Sequence, residues 1–482
     1  MLFNSFEFIL FLPIVFLLYW FVFNKSVKLQ NLFIIVVSYI FYGWWDKTFL
    51  LLIAFTTFCS YISGICIQDA TTIKKARCIN LINILLNLGV LGVYKYYDFF
   101  ALNLVEAFAG LGITIHSKVT LDLILPVGIS FYTFQALSYS IDVYRKNITA
   151  TRDILSFFAY VSFFPQLVAG PIERATRLLP QFSVPRVFEY TAAVDGLRRI
   201  LWGLFKKIVI ADSCALQVDN IFRNYEILPG STLWIGAFFF TLQIYGDFSG
   251  YSDIAIGVAR LFGIDLMQNF NFPYFSRDIA EFWRRWHISL STWFRDYLYI
   301  PLGGSRGGKW KSLRNTFLIF TVSGLWHGAN WTYILWGAYH GLLFTPLLLT
   351  RTNRKNTGVV AVGRLLPSGI EFLQMSVTFL LVIIGWVLFR ADSVTQAFLY
   401  LRKMFSASAF AYPAAALGKE PLLFVFILFF LIMEWLQREK HHVLEVSEVR
   451  SSRMRYTLYA AVSLFVIFYM FAESATFIYF QF

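Results

Sequence analysis

His287 and His327 stand in a chain that is otherwise built for lipid. His287 lies in Glu281-Phe-Trp-Arg-Arg-Trp-His-Ile-Ser-Leu-Ser291, and His327 lies in Ser323-Gly-Leu-Trp-His-Gly-Ala-Asn-Trp331. A histidine at bilayer depth is costly and needs a partner or a wet cavity, so it marks a functional site by default. Imidazole is also the side chain best suited to take and return a proton near neutral pH. The pair therefore points to proton chemistry inside a membrane. Arg284, His287, Ser291 and Arg295 fall at i, i+3, i+7 and i+11, one stripe of a helix that offers cations and an imidazole to a common space. The same pattern also fits an interfacial basic amphipathic helix with aromatic anchors. Beside His327, Trp326 adds an aromatic ring, and Gly324 and Gly328 leave room for another backbone or a ligand to come close.

Two further stretches carry polar groups in apolar surroundings. Gln243–Asp253 places Asp247 and Tyr251 four residues apart, on one helix face, with Asp253 close behind. Two carboxylates at depth read either as direct support of a site or as a polar seam that locks helices together. Gly303-Gly-Ser-Arg-Gly-Gly-Lys309 matches part of a phosphate loop, but Trp310 stands where the magnesium-ligating hydroxyl belongs. It reads as a flexible turn on the cytoplasmic face, where Arg306 and Lys309 can still touch a phosphate. His116, His340, His441 and His442 look ordinary. The sequence holds no G-x-S-x-G elbow and no H-E-x-x-H. The four cysteines form no C-x-x-C pair, so neither a metal site nor a structural disulfide is expected.

The elements that must position these groups are membrane helices. The hydrophobic fraction is 58%, the aromatic fraction 20%, and charged residues make up 14%, against about a quarter in soluble domains. Apolar stretches suited to spans run near 5–23, 30–46, 48–67, 79–98, 153–170, 231–262, 331–350, 368–391, 421–437 and 456–480. The net charge of +13 would suit nucleic acid in a soluble protein. Here the cations gather in short loops: Lys25/Lys28, Lys74/Lys75/Arg77, Arg145/Lys146/Arg152 and Arg351/Arg354/Lys355. The positive-inside rule makes those loops cytoplasmic. The first span has no basic n-region or cleavage site, so it reads as retained, with its N-terminus outside. Pro and Gly interrupt the helices at 125–131 and 163–171. Residues 260–330, too charged to span and too aromatic to float, read as in-plane and re-entrant helices around a central chamber. The expectation is an all-α polytopic membrane protein of about 10–12 transmembrane helices. It forms one domain over 1–482, with N-terminal spans (1–118), a catalytic core (119–345) and C-terminal spans (346–482).

Leu125–Tyr144, Phe163–Arg174, Gln243–Asp253, Phe270–Gly304 and Ser323–Gly341 resemble the membrane-bound O-acyltransferase superfamily, in particular its bacterial branch of alginate O-acetylases. The run Phe282–Tyr297 followed by Leu325-Trp-His-Gly328 is the most specific part. The resemblance implies a catalytic histidine at His327 and a second functional histidine at His287. It implies acetyl-CoA as a cytoplasmic cosubstrate, no permanently bound cofactor, and an exported polysaccharide such as alginate as acceptor. It further implies a separate periplasmic hydrolase-like partner and a place in the bacterial inner membrane. On that reading His327 removes the acceptor hydroxyl's proton and His287 orients the acyl group or stabilises developing charge. Asp247, Asp253, Tyr251, Ser291, Trp326 and Asn330 support the pair. Arg284, Arg295, Arg306 and Lys309 meet the CoA phosphates. Rival expectations are O-acetylation of peptidoglycan or another exopolysaccharide, and a transporter that moves polysaccharide or acyl donor without catalysis.

Overall fold

The structure is a computed structural model that describes residues 1–482 except 116–118, 414–420, 447–448, 450, 471–476 and 479–482. His116 and the end of the span expected at 456–480 therefore lie outside the described residues. No strand occurs among the described residues. The chain forms two compact units, residues 1–193 with 258–266, and residues 194–257 with 267–482.

The first unit begins with α1 (Phe6–Leu17), α2 (Val27–Gly43), α3 (Leu50–Gln68), α4 (Ile73–Leu91) and α5 (Tyr97–Gly110). Ser5, Ser26 and Thr72 each accept a first-turn N–H at a helix start, satisfying donors that lipid cannot. A π-helical turn at Gly92–Tyr96 joins α4 to α5, so one apolar rod runs over Ile73–Gly110. The Pro–Gly signal at 125–131 becomes a break in which Gly128 takes φ 76° just before α6 (Ile129–Tyr144). The expected span at 153–170 is shorter than proposed. It splits at Phe163 into α7 (Ile154–Ser162) and α8 (Phe164–Leu167), with α9 (Ala175–Leu178) after it. Pro165 fits the split, because it lacks the N–H that a continuous helix would give to Val161 O, and it sits in the first turn of α8, where a missing N–H costs nothing.

The second unit holds α10 (Tyr190–Leu204) from Val194 onward, α11 (Asp212–Arg223) and α12 (Gly230–Leu261) up to Gly257. A seven-residue π-helix, Phe205–Ala211, joins α10 to α11. Two short helices follow, α13 (Ile279–Arg285) and α14 (Ile288–Phe294), then α15 (Lys309–His327), α16 (Trp331–Leu349) and α17 (Gly369–Arg390). The described remainder comprises α18 (Val394–Met404), α19 (Pro421–Leu436) and α20 (Ser452–Tyr469).

Leu50–Gln68, Ile73–Gly110 and Gly369–Arg390 are long and apolar enough to cross a membrane, and Phe6–Val22, Val27–Gly43 and Pro421–Leu436 are shorter apolar helices. Leu51, Ile73, Leu85, Ile370 and Leu428 are among many large apolar side chains left exposed. On a soluble protein such a surface would aggregate. On this all-α polytopic membrane protein it faces lipid.

Candidate functional site

The helix stripe expected from Arg284 to Arg295 is not one helix. α13 ends at Arg285, Trp286 is extended, and His287 adopts the left-handed conformation with φ 44° and ψ 54° before α14 begins. The break follows from the segment Asn269–Asn271 lying alongside. Asn271 N–H donates to Arg285 O at 2.9 Å, and Ile288 N–H donates to Asn269 O at 2.9 Å. These bonds use backbone groups that a continuous helix would pair within itself. The four residues consequently part company: Arg284, Ser291 and Arg295 line a cleft, whereas His287 is 1% exposed and sits in the aromatic interior.

His327 ends α15, and Gly328–Asn330 turn the chain into α16. The two helices pack backbone to backbone. A Cβ on Gly324 would lie 2.1 Å from Tyr333 O, and one on Gly337 would lie 2.2 Å from Phe320 O. The space that Gly324 leaves is thus filled by the facing helix. Gly328 admits the ring of Tyr333 in the same way, with a would-be Cβ 2.2 Å from its Cε2. Asn330 accepts the Thr332 N–H at 3.0 Å and donates to Asp392 O at 3.1 Å, so its amide is committed to fixing the turn after His327.

This hairpin and the break at His287 bring the two imidazoles together, with ring centroids 6.4 Å apart. His327 is bordered by Trp336 and Phe389, each at 5.3 Å, and by Trp326 at 5.0 Å. His287 lies 4.6 Å from Phe248 and 6.0 Å from Trp326. His327, like His287, is buried. Two imidazoles in an aromatic box meet little bulk water, a setting in which they could exchange a proton with a bound group and in which electrostatic effects are strong.

A cleft of about 270 Å³ lies among the same helices, and neither histidine is part of its lining. Its wall on α15 consists of Thr316, Ile319, Phe320 and Ser323, which recur at helical spacing. The next position of that stripe is His327, one turn beyond Ser323. Trp283 and Ser291 form another wall. Arg284, Arg295, Ser305 and Arg354 supply polar and cationic groups. Arg284 is also a strut, donating to Asn353 O at 2.7 Å and Asn356 O at 2.6 Å. Burial pulls its guanidinium below the ordinary value, whereas a hydrogen bond with Glu281 pushes that of Arg277 up. Arg306 and Lys309 lie on the exposed Gly-rich turn outside this lining.

The carboxylates of α12 form a polar layer of their own. Asp253 receives Arg199 Nε at 2.8 Å and Lys206 Nζ at 2.5 Å, while Lys207 Nζ lies 2.7 Å from Asp247 and 2.8 Å from Asp212. Both lysines come from the π-helix, whose wider turn carries them to the same helix. Asp247 is next in sequence to Phe248, the ring against His287, but its own carboxylate meets Lys207 and the Ile478 N–H. Tyr251 packs on Phe477 at 5.1 Å. Two polar residues beside the site do not stand out in the sequence: Asn269 goes without notice, and His340 reads as an ordinary helix residue. His340 is fully buried beside the cleft wall, and its Nδ1 accepts the Trp283 indole N–H at 3.3 Å. Asn269 braces the start of α14. Its place in a loop-like Asn-Phe-Asn-Phe-Pro run gave no signal of that contact.

The family model of the membrane-bound O-acyltransferase family matches residues 148–383. The chain is 43% identical over 408 residues to a probable alginate O-acetylase of Pseudomonas aeruginosa, covering 84% of this chain and 75% of the relative. It is 35% identical over 434 residues to a peptidoglycan O-acetyltransferase of Helicobacter pylori, covering 84% and 80%. A teichoic acid D-alanyltransferase of Bacillus subtilis is 31% identical over 237 residues, covering 46% and 59%. The matched residues 148–383 include both histidines, the cleft and the α15–α16 hairpin.

Proposed function

Since the chain belongs to the membrane-bound O-acyltransferase family, we propose that it carries acetyl groups from cytoplasmic acetyl-CoA to an exported polysaccharide such as alginate, in the bacterial inner membrane. The observation that carries this reading is the pair of buried imidazoles, 6.4 Å apart, one helical turn beyond a cleft lined by arginines. Arg354 lies in a loop that the charge rule makes cytoplasmic, which favours the cleft as the donor's path. Arg284 and Arg295 meet the phosphates along it, with Arg306 and Lys309 on the adjoining turn as outer contacts.

His327 takes the proton of the acceptor hydroxyl as its oxygen attacks the thioester carbonyl. The resulting tetrahedral oxyanion collapses, the C–S bond breaks, and the proton passes from His327 to the CoA thiolate. His287 lies across the box, where it orients the acyl group and stabilises the oxyanion. Trp326 bounds the box, Ser291 the cleft, and Asn330 fixes the turn that follows His327. Asp247, Asp253 and Tyr251 hold α12 behind Phe248. The acceptor, or a periplasmic hydrolase-like partner that relays the acetyl group to it, approaches from the face opposite the donor. The N-terminus lies on that periplasmic face.

The test is release of CoA from labelled acetyl-CoA by the purified chain. His327→Ala is expected to lower turnover by about 100-fold or more, the usual scale of general acid–base catalysis, and His287→Ala to lower it measurably as well. Equal turnover in wild type and both variants would sink the assignment and favour a transporter.

A further inference from the structure

His287 occupies the N-cap position of α14, a place where Ser, Thr, Asp or Asn normally spends its side chain on the N–H of the second or third helical residue. His287 makes no such cap bond; its ring lies against Phe248 and Trp326 instead. The cap is supplied from elsewhere in the chain. Asn269 Oδ1 accepts Ser289 N–H at 3.3 Å and Ser289 Oγ–H at 2.9 Å, and Asn269 O accepts Ile288 N–H at 2.9 Å. Its Nδ2 donates to Ser252 Oγ of α12 at 3.2 Å. Asn269 is fully buried, and every one of these contacts lies within the second unit. A non-glycine residue in the left-handed region persists only where its surroundings over-determine it. Here the surroundings are one asparagine that bonds the first two N–H groups of α14 and ties them to α12.

We propose that Asn269 is the positioning residue of the second histidine: it caps α14 in trans, which releases the N-cap position for an imidazole and aims that imidazole at His327. The inference rests on the role given to His287 above. It goes beyond that role in naming the group that sets the orientation and in assigning it a separate chemistry, a side-chain amide used as a substitute helix cap. Ser252 is its anchor. The hydrogen-bond chain Ser252–Asn269–Ser289 fixes the distance between α12, which carries Phe248, and the start of α14.

A double-mutant cycle separates positioning from general support of the fold. Asn269→Ala is expected to lower the kcat of CoA release by about 10- to 100-fold, the loss that a misplaced catalytic group produces, with KM for acetyl-CoA within about twofold of wild type. In a His287→Ala background the same substitution should change kcat by less than about twofold, because the group it orients is already gone. Asn269→Asp keeps the acceptor oxygen for Ser289, and the Ser252 hydroxyl can turn to donate to the carboxylate in place of accepting from Nδ2, so kcat should hold within about threefold. Should Asn269→Ala fail to accumulate, the Asp variant decides alone, retention supporting the inference and loss overturning it. Full kcat in Asn269→Ala beside a crippled His287→Ala, or an undiminished effect of Asn269→Ala in the His287→Ala background, overturns the positioning role and leaves the enzyme assignment standing. Wild-type kcat in His287→Ala instead removes the premise.

Discussion

At the scale of single residues, the buried charges of α12 and the π-helix form a layer that holds the molecule together. Lys207 reaches Asp247 at 2.7 Å and Asp212 at 2.8 Å, with all three side chains nearly inaccessible. Removing one member of a buried ion pair costs about 3–5 kcal/mol, because the remaining charge is stranded. Lys207→Met should therefore lower the thermal unfolding midpoint in detergent well below that of the control Lys75→Met, whose parent side chain is exposed. Equal midpoints would show that this layer carries no such energy. His287 and His327 stand out in the sequence because each lies in a Trp- and Ser-rich break among apolar residues, and the structure brings their rings to 6.4 Å. Asn269 does not, since its partners Ser252 and Ser289 lie 17 and 20 residues away, and no local pattern encodes a cap made in trans.

At the scale of elements, glycine position decides whether a substitution tightens or breaks the site. A Cβ at Gly324 would meet the Tyr333 carbonyl of the facing helix at 2.1 Å, whereas one at Gly89 in α4 would meet nothing within 4 Å. Gly324→Ala must push α15 from α16, at about 1–3 kcal/mol for overpacking, and it displaces His327 one turn away. Gly89→Ala fills open space in a helix and should stabilise by about 0.5–1 kcal/mol through reduced backbone freedom. Opposite shifts in unfolding midpoint are expected, with CoA release lost in the first variant and kept in the second. Shifts of the same sign would contradict this packing. The α15–α16 hairpin was readable in outline, because Gly324 and Gly328 beside a histidine signal close approach. The continuous helix over Arg284–Arg295 was misread. Periodicity reports which residues share a face if a helix exists, but the pairing of Asn269 and Asn271 with residues 285–288 is a tertiary competitor that periodicity does not register.

At the scale of the whole molecule, the proposed reaction requires a path from each face of the membrane to one pair of imidazoles. α15 has 19 residues and so a length of about 28 Å, close to the thickness of a hydrocarbon core. Its N-terminus follows the Gly-rich turn and its C-terminus is His327, so under the proposed reaction the helix would carry the chemistry away from the donor's side. The cleft wall of Thr316, Ile319, Phe320 and Ser323 marks the route along it. Arg354 stands in that lining and also in a loop with Arg351 and Lys355, which the charge rule assigns to the cytoplasm together with the Lys74–Arg77 loop. The donor's path and the membrane topology are therefore testable in one experiment. In a chain whose four cysteines are replaced by alanine, Arg354→Cys and Lys75→Cys should both react with a membrane-impermeant maleimide in inverted vesicles and resist it in intact spheroplasts. Acetyl-CoA should slow the reaction at position 354, where the bound donor covers the thiol, and leave position 75 unaffected. Labelling of either site from the outer face would invert the topology, and equal rates at position 354 with and without acetyl-CoA would remove the cleft from the donor's path. The loss of a guanidinium at position 354 should also raise KM for acetyl-CoA by up to about tenfold, the scale of one charge-assisted phosphate contact. Turnover at saturation should hold, because Arg354 is an exposed residue of the cleft lining and the proposed chemistry lies at His327, beyond Ser323.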